Sequence, residues 1–427
     1  MFQPLAGTNS SEIKAQNISA ILLALLHHSG ISRVQLAQST GVSTATITNL
    51  VNELMVMGLV AEEGTVKVDV PQVGRPQKAL RLIPQARYAI GVHIDIDQVR
   101  VMLANLQAQA VRTYTLQHDI GQPWERLLDE LIEVIQHLIQ DASIDPDDVA
   151  GVGVASPGLV DLHSGTTVIA SSLNWRDVPI CEYLSERLEL PVVVENNVRA
   201  MALGEALFGD AQDVHALAFA YARIGVGAGL VVGGQLYRGA TAGAGEIGHT
   251  TIILDDGITC HCGNTGCLET LVSEPAIIKQ AQRIAGEEPE GLLAKALQNS
   301  AAPTLQQVFN VARAGDRSTQ TMLADCACYM GVALANLINI FNPELIILGG
   351  LFYRGEDLLL PAIENSVRQR AFANLGQQVQ IRTTEFGDEV GMVGAVALAL
   401  DTFFYRPQNR LGKTAAADGP SLDINAR

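Results

Sequence analysis

The sequence lacks the features that mark membrane and secreted proteins. No apolar run reaches the roughly 18 residues that would span a bilayer. The first twenty residues do not combine a basic start with an apolar run, so we expect no signal peptide. Cysteine is scarce, at 6 in 427 residues, and its clustered spacing suits a metal in a reducing compartment. We therefore expect a cytoplasmic protein with no membrane partner.

Positive charge is also scarce. The net charge of −17 argues against a protein that is coated by nucleic acid. Residues 1–88 hold 7 Lys and Arg against 5 Asp and Glu, whereas the remainder holds 21 against 40. An acidic body with a near-neutral to basic head fits DNA binding through the head alone, although ordinary surface solvation gives the same distribution. A chain of 427 residues is too long for one core, which predicts two or three domains.

The first 80 residues show the pattern of a helix-turn-helix. Apolar residues at helical spacing predict a helix over 12–28. Ser32 can cap a short second helix, and Gly41 stands where a tight turn follows it. Ser43 can cap a third helix, from Thr44 to about Gly58. A two-stranded wing is expected over 58–68. The alternative is a three-helix bundle with no DNA role.

The outward face of the third helix carries small hydrogen-bonding side chains, which suit base edges and phosphates. Farther along, Gly74-Arg75-Pro76 is either a plain linker or an extended arm whose arginine enters a narrow minor groove. The predicted DNA-contacting residues are Arg33, Ser43, Thr44, Thr46, Thr48, Asn49 and Arg75.

A cluster of metal-binding residue types lies in the second half of the chain. One His and three Cys fall within nineteen residues, and two carboxylates, Glu246 and Glu269, flank them. Three thiolates and an imidazole can close a tetrahedral shell, which is typical of structural Zn²⁺. His261 is a possible competing ligand, and redox chemistry is the alternative use of the thiols. The predicted zinc ligands are His249, Cys260, Cys262 and Cys267.

Residues from about 85 to 405 predict an α/β fold in two lobes, because groups of predicted strands are followed by predicted helices that connect them. Trp175 and the remaining cysteines, at 181, 326 and 328, are interpreted as core residues. The expected elements are strands at 88–95, 99–106, 149–155, 191–197, 215–234 and 345–350, an amphipathic helix at 125–141 and a helix ending near 208.

Together these motifs resemble the ROK family of transcriptional repressors and sugar kinases, which has the actin-like ATPase fold. The resemblance rests on Glu-x-Gly-His, Cys-x-Cys-Gly-x-x-Gly-Cys-Leu-Glu and Gly225-x-Gly227-x-Gly229, in the family's order, and covers all but the last twenty or so residues. It implies a winged helix-turn-helix domain with linker (1–82), a first lobe (83–198, completed by a helix at 390–405) and a second lobe with the zinc site (199–389). The polar composition of residues 406–427 predicts a disordered tail.

The resemblance also implies a sugar pocket. Residue 197, where the kinases hold the Asp that takes the sugar hydroxyl proton, is Asn here, and an amide cannot act as that base. Asp95-Ile96-Asp97-Gln98-Val99 lacks the glycines of the kinases' phosphate turn. The other glycines at strand ends are interpreted as tight turns. The implied sugar-binding residues are Gly158, Asn174, Asn196, Asn197, Glu246, His249 and Glu269.

These inferences favour a sugar-responsive repressor of carbohydrate-utilisation genes that does not act as an enzyme. Its expected partners are double-stranded operator DNA, a sugar or sugar derivative, and further copies of itself in a dimer or tetramer. Two alternatives stay open at this point. One is an ATP-dependent sugar kinase with an added DNA-binding head, and the other is a repressor that is controlled by a partner protein.

Overall fold

The computed structural model describes residues 10–65, 77–211, 214–298 and 302–407. They form two compact units. The first unit contains the described residues up to Glu195 and those from Val396 onward, and the second runs from Asn196 to Ala395. The expected domain limits at 82 and 198 stay predictions.

The head begins the first unit and has the predicted order of elements. Ser32 caps the second helix in a full capping box with Gln35, and Gly41 ends it with φ of +70°. Ser43 caps the third helix, where its hydroxyl accepts the N–H of Thr46. The elements are α1 (Ser10–His27), α2 (Arg33–Thr40), α3 (Thr44–Val56), β1 (Val60–Thr65) and β2 (Lys78–Leu82).

The wing differs from the prediction. Strand β1 pairs antiparallel with β2, with Val60 opposite Leu82 and Ala61 opposite Arg81. The expected partner, residues 66–68, lies outside the described residues, as does Arg75. Lys78 and Arg81 are residues of β2. Leu80 and Leu82 explain this pairing, because they are buried on β2 and add to the core of the head.

The rest of the first unit is a lobe around a five-stranded sheet of order β10-β6-β3-β4-β5, with a smaller sheet of order β7-β8-β9. Trp175 is 6% exposed and belongs to this core, as expected. The elements are β3 (Tyr88–Ile94), β4 (Gln98–Asn105), β5 (Ala110–Gln117), α4 (Trp124–Asp141), β6 (Val149–Ser156), β7 (Leu159–Asp161), β8 (Thr166–Ala170), β9 (Trp175–Val178), α5 (Ile180–Leu188) and β10 (Val192–Asn196).

The head is joined to this lobe by a short hydrogen-bonded connection. The N–H of Ile83 donates to the carbonyl of Leu59 at 2.9 Å, and the N–H of Leu106 donates to the carbonyl of Pro84 at 3.0 Å. A π-helical turn, Asp401–Tyr405, contacts both α1 and β6. The buried Tyr405 hydroxyl donates to the carbonyl of the same Leu106 at 2.5 Å. Arg406, where a disordered tail was expected to begin, is buried and pairs with Asp401.

The second unit is built on a sheet of order β13-β12-β11-β14-β15. Strands β11 and β12 form a hairpin, and β14 pairs parallel with β11 and β15. The elements are α6 (Asn197–Phe208), β11 (Ala216–Ala222), β12 (Val226–Val232), β13 (Gln235–Leu236), α7 (Glu269–Val272), α8 (Glu274–Glu287), α9 (Leu292–Leu297), α10 (Leu305–Arg313), α11 (Arg317–Phe341), β14 (Leu345–Gly350), α12 (Leu351–Arg354), α13 (Glu356–Arg370), α14 (Leu375–Gln378), β15 (Gln380–Thr383) and α15 (Val390–Leu400), which crosses the division at Ala395.

Helix α11 is the one helix among the described residues that is long and apolar enough to cross a membrane. The sequence analysis did not expect such a segment. In the structure 61% of its apolar window is buried, and it packs along α13. Its length and apolar composition therefore fit the central helix of this core, where Met330 and Leu334 are fully buried.

Candidate functional site

The predicted zinc ligands come together in one loop of the second unit, between β13 and α7. A tight turn forms at its tip, where the N–H of Cys260 donates to the carbonyl of Asn264 at 2.7 Å. Gly266 allows the loop to close, because it has φ of +77° and a Cβ there would lie 1.8 Å from the Ile253 carbonyl oxygen. The backbone thus folds the Cys260–Cys267 segment back toward His249.

The four side chains match the size of a tetrahedral zinc shell. One ligand atom from each of His249, Cys260, Cys262 and Cys267 lies within 4.8 Å of all the others. Zn²⁺ at about 2.3 Å from each sulfur sets two sulfurs about 3.8 Å apart. The Cys262 and Cys267 sulfurs are 3.7 Å apart, and Cys260 Sγ is 3.7 Å from His249 Nδ1. The donor set and its spacing therefore fit zinc.

The surroundings of these thiols shift their pKa values in different directions. Burial raises the pKa of Cys260 and raises that of Cys267 to about 12. The backbone N–H of Asn264 lowers the pKa of the exposed Cys262. Two buried thiols that resist ionisation would need a cation to hold them as thiolates. A second group, formed by His249, His261 and Glu269, also brings its ligand atoms within 4.8 Å, so His261 stays a competing ligand.

The carboxylate of Glu269 is held from two sides. Its Oε2 accepts the N–H of Val226 at 3.0 Å, and its Oε1 lies 3.0 Å from His261 Nδ1. Glu269 is 8% exposed, whereas the other predicted carboxylate, Glu246, is exposed at the start of a 3-10 turn, Ile247–His249. The cysteine loop therefore brings Glu269 close to His249. Glu246 lies three residues before His249 in the sequence.

The glycines of β12 and its turn differ in how closely other groups approach them. A Cβ at Gly225 would lie 3.2 Å from Glu269 Oε2. One at Gly227 would lie 3.5 Å from Val198 and 4.0 Å from the Gly245 carbonyl oxygen, and one at Gly229 would clash with α6. Gly227 and Gly229 lie within β12, so their interpretation as turn residues was wrong, whereas Gly225 lies in the β11–β12 turn as expected. Gly350, with φ of +67°, does form a turn.

Asn196 and Asn197 stand where β10 ends and α6 begins. The Asn196 side chain caps α6, since its Oδ1 accepts the N–H groups of Val198 at 3.0 Å and Arg199 at 3.3 Å. Asn197 Oδ1 also accepts the N–H of Val198, at 2.9 Å. Both amide oxygens thus have structural partners, and the predicted sugar contacts of these residues stay predictions.

Two predicted sugar residues belong to the first unit. Gly158 has φ of +80°, and a Cβ there would lie 2.0 Å from the Ile169 carbonyl oxygen, so the β7–β8 hairpin requires glycine. Asn174 takes a left-handed conformation, with φ of +57°, at the end of a 3-10 turn. Both residues thus have a conformational role, and their contacts with a sugar stay predictions.

The turn between β3 and β4, at residues 95–98, is closed by its own groups. The N–H of Ile96 donates to Asp95 Oδ1 at 2.8 Å, and the N–H of Asp95 donates to the Gln98 carbonyl at 2.9 Å. His118 Nε2 lies 3.0 Å from the Asp95 carbonyl oxygen. Asp95 and Asp97 thus contribute to a compact turn between β3 and β4.

In the head, the predicted DNA-contacting side chains differ in exposure and in the hydrogen bonds that they make within the protein. Asn49 is exposed on α3, and Thr48 donates its hydroxyl to the Thr44 carbonyl at 2.8 Å. Ser43 and Thr46 hydrogen-bond each other within the helix cap. Arg33 is held by Glu62 and Asn52, so it would have to leave an ion pair to reach DNA.

Two buried charged residues of α6 were missed by sequence reasoning. Arg199 is 1% exposed and donates from Nη1 to the Ala242 carbonyl at 2.7 Å. Glu205 is 1% exposed and accepts the Thr384 hydroxyl, and burial raises its pKa to about 7. The available signal was a pair of charged residues inside an otherwise apolar helical stretch, Asn197–Phe208.

Comparison with known proteins identifies the family to which this chain belongs. The ROK family profile matches residues 89–402, and a winged helix-turn-helix DNA-binding profile matches residues 16–61. The chain belongs to the ROK family. It is 30% identical over 400 residues to the xylose repressor of Caldicellulosiruptor bescii, a match that covers 94% of this chain and 99% of that protein.

Two further ROK relatives cover different parts of the chain. A glucokinase of Halalkalibacterium halodurans is 34% identical over 247 residues, or 58% of this chain and 75% of the enzyme. The crystal structure of a ROK family transcriptional regulator, a homolog of E. coli MLC protein, matches with a TM-score of 0.79 and 26% identity, over 93% of this chain and 99% of that one. The full-length matches therefore include the head, as the sequence analysis expected.

Proposed function

We propose that this ROK protein is a sugar-responsive transcriptional repressor of carbohydrate-utilisation genes. One observation carries the proposal: a winged helix-turn-helix head and a sugar-kinase-type body occur in one chain, with Asn at position 197. The head binds double-stranded operator DNA. The body binds a sugar or sugar derivative and does not phosphorylate it, because an amide at residue 197 cannot take the hydroxyl proton. The protein works in the cytoplasm, without a membrane partner.

The geometry of the head supports operator binding. Helix α3 buries Ile47, Leu50 and Leu54 and leaves Asn49 exposed on its other side. An asparagine side chain can read adenine in the major groove through two hydrogen bonds. Two heads of a dimer or tetramer would then bind two half-sites about one helical turn apart.

The geometry of the second unit supports sugar binding. Glu269 is oriented by the Val226 N–H, and charged carboxylate oxygens are strong acceptors for the hydroxyl groups of a sugar. Glu246 is exposed three residues before His249, and His249 lies in the same group as Glu269. Gly158, Asn174, Asn196 and Asn197 complete the proposed set.

A structural Zn²⁺ fits the same assembly. His249, Cys260, Cys262 and Cys267 would hold it, and its role would be to fix the loop rather than to react. The loop begins beside Glu246 and ends at Glu269, so fixing it sets the positions of both carboxylates.

The test is recovery of genomic DNA fragments by the purified full-length protein, with and without D-xylose, D-glucose and N-acetyl-D-glucosamine. A palindromic fragment that one sugar releases would support the proposal and identify the effector. Recovery of no fragment under any condition would contradict it. A fragment that binds tightly but responds to no sugar would favour control by a partner protein.

The second candidate is a sugar kinase with a DNA-binding head, and the similarity to a glucokinase favours testing it. We expect no ATP-dependent phosphorylation of the same sugars by the unchanged protein. Asn197→Asp restores a carboxylate at the position of the base. Turnover in that variant alone would support a pocket that kept sugar binding and lost its base, whereas turnover in the unchanged protein would support the kinase.

A further inference from the structure

Arg199 is one of the largest fully buried side chains in the described residues, and it lies in the first turn of α6. Burying a guanidinium is costly unless its N–H groups find partners. Its Nη1 donates to the carbonyl of Ala242 at 2.7 Å, 43 residues farther along the chain. The backbone N–H of the same residue donates to Asn196 Oδ1 at 3.3 Å. Arg199 therefore links the start of α6 to a distant segment.

That segment, residues 237–245, consists mainly of Gly, Ala and Thr and leads directly into Glu246. Its ends are tied to β12, because the N–H of Tyr237 donates to Leu230 and the N–H of Ala228 donates to Gly245. Its middle has little side-chain material to pack, and Ala242 takes a positive φ of +54°. The guanidinium of Arg199 thus supplies a buried anchor for the middle of a partly exposed segment.

We propose that Arg199 is a positioning residue of the sugar site. It holds the 237–245 segment against the start of α6, so that Glu246 and Asn197, at the two ends of this connection, keep a fixed relation. The inference rests on the proposed sugar binding, which it deepens. Movement of the segment relative to α6 would break the hydrogen bond between Arg199 and Ala242 and remove a partner of the buried guanidinium. The segment and the first turn of α6 therefore move together when the ligand binds.

The test compares full-length protein with Arg199→Met, which keeps side-chain length and removes the donor. Isothermal titration with D-xylose and with D-glucose measures affinity, and hydrogen–deuterium exchange measures the opening of residues 237–245. We expect sugar affinity at least 10-fold lower and exchange in the segment at least 10-fold faster, with exchange in β11 and β14 unchanged. Arg199→Lys should recover part of both effects, since lysine keeps the charge and a donor.

The matched control is Arg283→Met, the same change at an exposed arginine of the second unit that pairs with Glu287. If Arg199→Met does not fold, Arg199→Gln, which is too short to reach Ala242, carries the same expectations. Unchanged exchange and affinity would overturn the proposal, and so would faster exchange throughout the second unit, which would indicate a general stabilising role. If the unchanged protein binds neither sugar, these two sugars are excluded as the effector, while the exchange data still decide whether Arg199 holds the segment.

Discussion

The backbone N–H of Val226 donates a hydrogen bond to Glu269 Oε2 over 3.0 Å. This bond joins the β11–β12 hairpin to the end of the cysteine loop. It fixes one carboxylate oxygen, while the other, Oε1, lies 3.0 Å from His261 Nδ1. The neighbouring Gly225 permits the approach, because any side chain there would press on the same carboxylate.

Glu269→Gln should therefore weaken sugar binding without unfolding the protein. The amide oxygen of glutamine can still accept the Val226 N–H, but the charge that strengthens hydrogen bonds to hydroxyls is lost. Such bonds contribute about 1.5–3 kcal/mol each, so we expect affinity to fall by about 10-fold or more. Isothermal titration with the effector sugar measures it. Glu290→Gln, at an exposed carboxylate of the same unit, is the control, and equal affinity in both variants would exclude Glu269 from the site.

Zinc should be required for the stability of the cysteine loop. The unchanged protein is expected to carry about one Zn²⁺ per chain, because its four ligand atoms match one tetrahedral shell. Cys262→Ser removes an exposed ligand and disturbs no buried packing. We expect it to lose most of the metal and to melt several degrees lower. Metal analysis and thermal unfolding measure both effects.

Cys328→Ser is the matched control for the metal experiment, since Cys328 lies on α11, outside the cluster. It should keep the full zinc content. If the unchanged protein melts at the same temperature with and without zinc, the cluster does not need the ion.

Asn49→Ala should weaken DNA binding and leave folding unchanged. Asn49 is exposed on α3, opposite the buried Ile47 and Leu50. Loss of a bidentate contact to a base costs about 1–3 kcal/mol, which corresponds to a loss of affinity of about 5-fold to 150-fold. Fluorescence anisotropy on the recovered operator measures it, with Asn365→Ala on α13 as the control. If specific and random DNA lose affinity equally, Asn49 does not read a base.

Local rules predicted the parts of the fold that depend on neighbouring residues. Ser32, Gly41 and Ser43 could be assigned because a cap or a left-handed turn involves residues only a few positions apart. The wing could not, because β1 pairs with a strand that begins 13 residues after β1 ends, and nothing local specifies that partner.

The candidate site divides in the same way. The cysteine cluster was found from spacing alone, since its ligands are close in sequence. The contacts of Val226 with Glu269 and of Arg199 with Ala242 each span 43 residues and involve backbone groups, which carry no residue-type signal. Gly229 was misinterpreted for a related reason: a side chain there would clash with α6, and only the tertiary structure brings α6 to that position.

Glu205 should make the stability of the protein depend on pH near neutrality. Its carboxyl is buried on α6, and burial raises its pKa to about 7, whereas the Thr384 hydroxyl and Arg382 lower it and Glu385 and Asp210 raise it. A carboxyl whose pKa is higher in the folded state than its unfolded value of about 4.3 stabilises the fold fully below that lower value. This contribution is lost as pH rises through about 7.

Glu205→Gln removes the ionisable group and keeps an oxygen that can accept the Thr384 hydroxyl. We expect the variant to match the unchanged protein in stability near pH 5 and to exceed it near pH 8, by up to about 3 kcal/mol. Urea unfolding at half-unit steps between pH 5 and 8 measures the difference. The exposed Glu364→Gln on α13, which removes a carboxylate from a surface pair with Arg368, should give a curve parallel to that of the unchanged protein. If Glu205→Gln also runs parallel, Glu205 does not take up a proton on folding, and the Thr384 contact holds a permanently charged carboxylate.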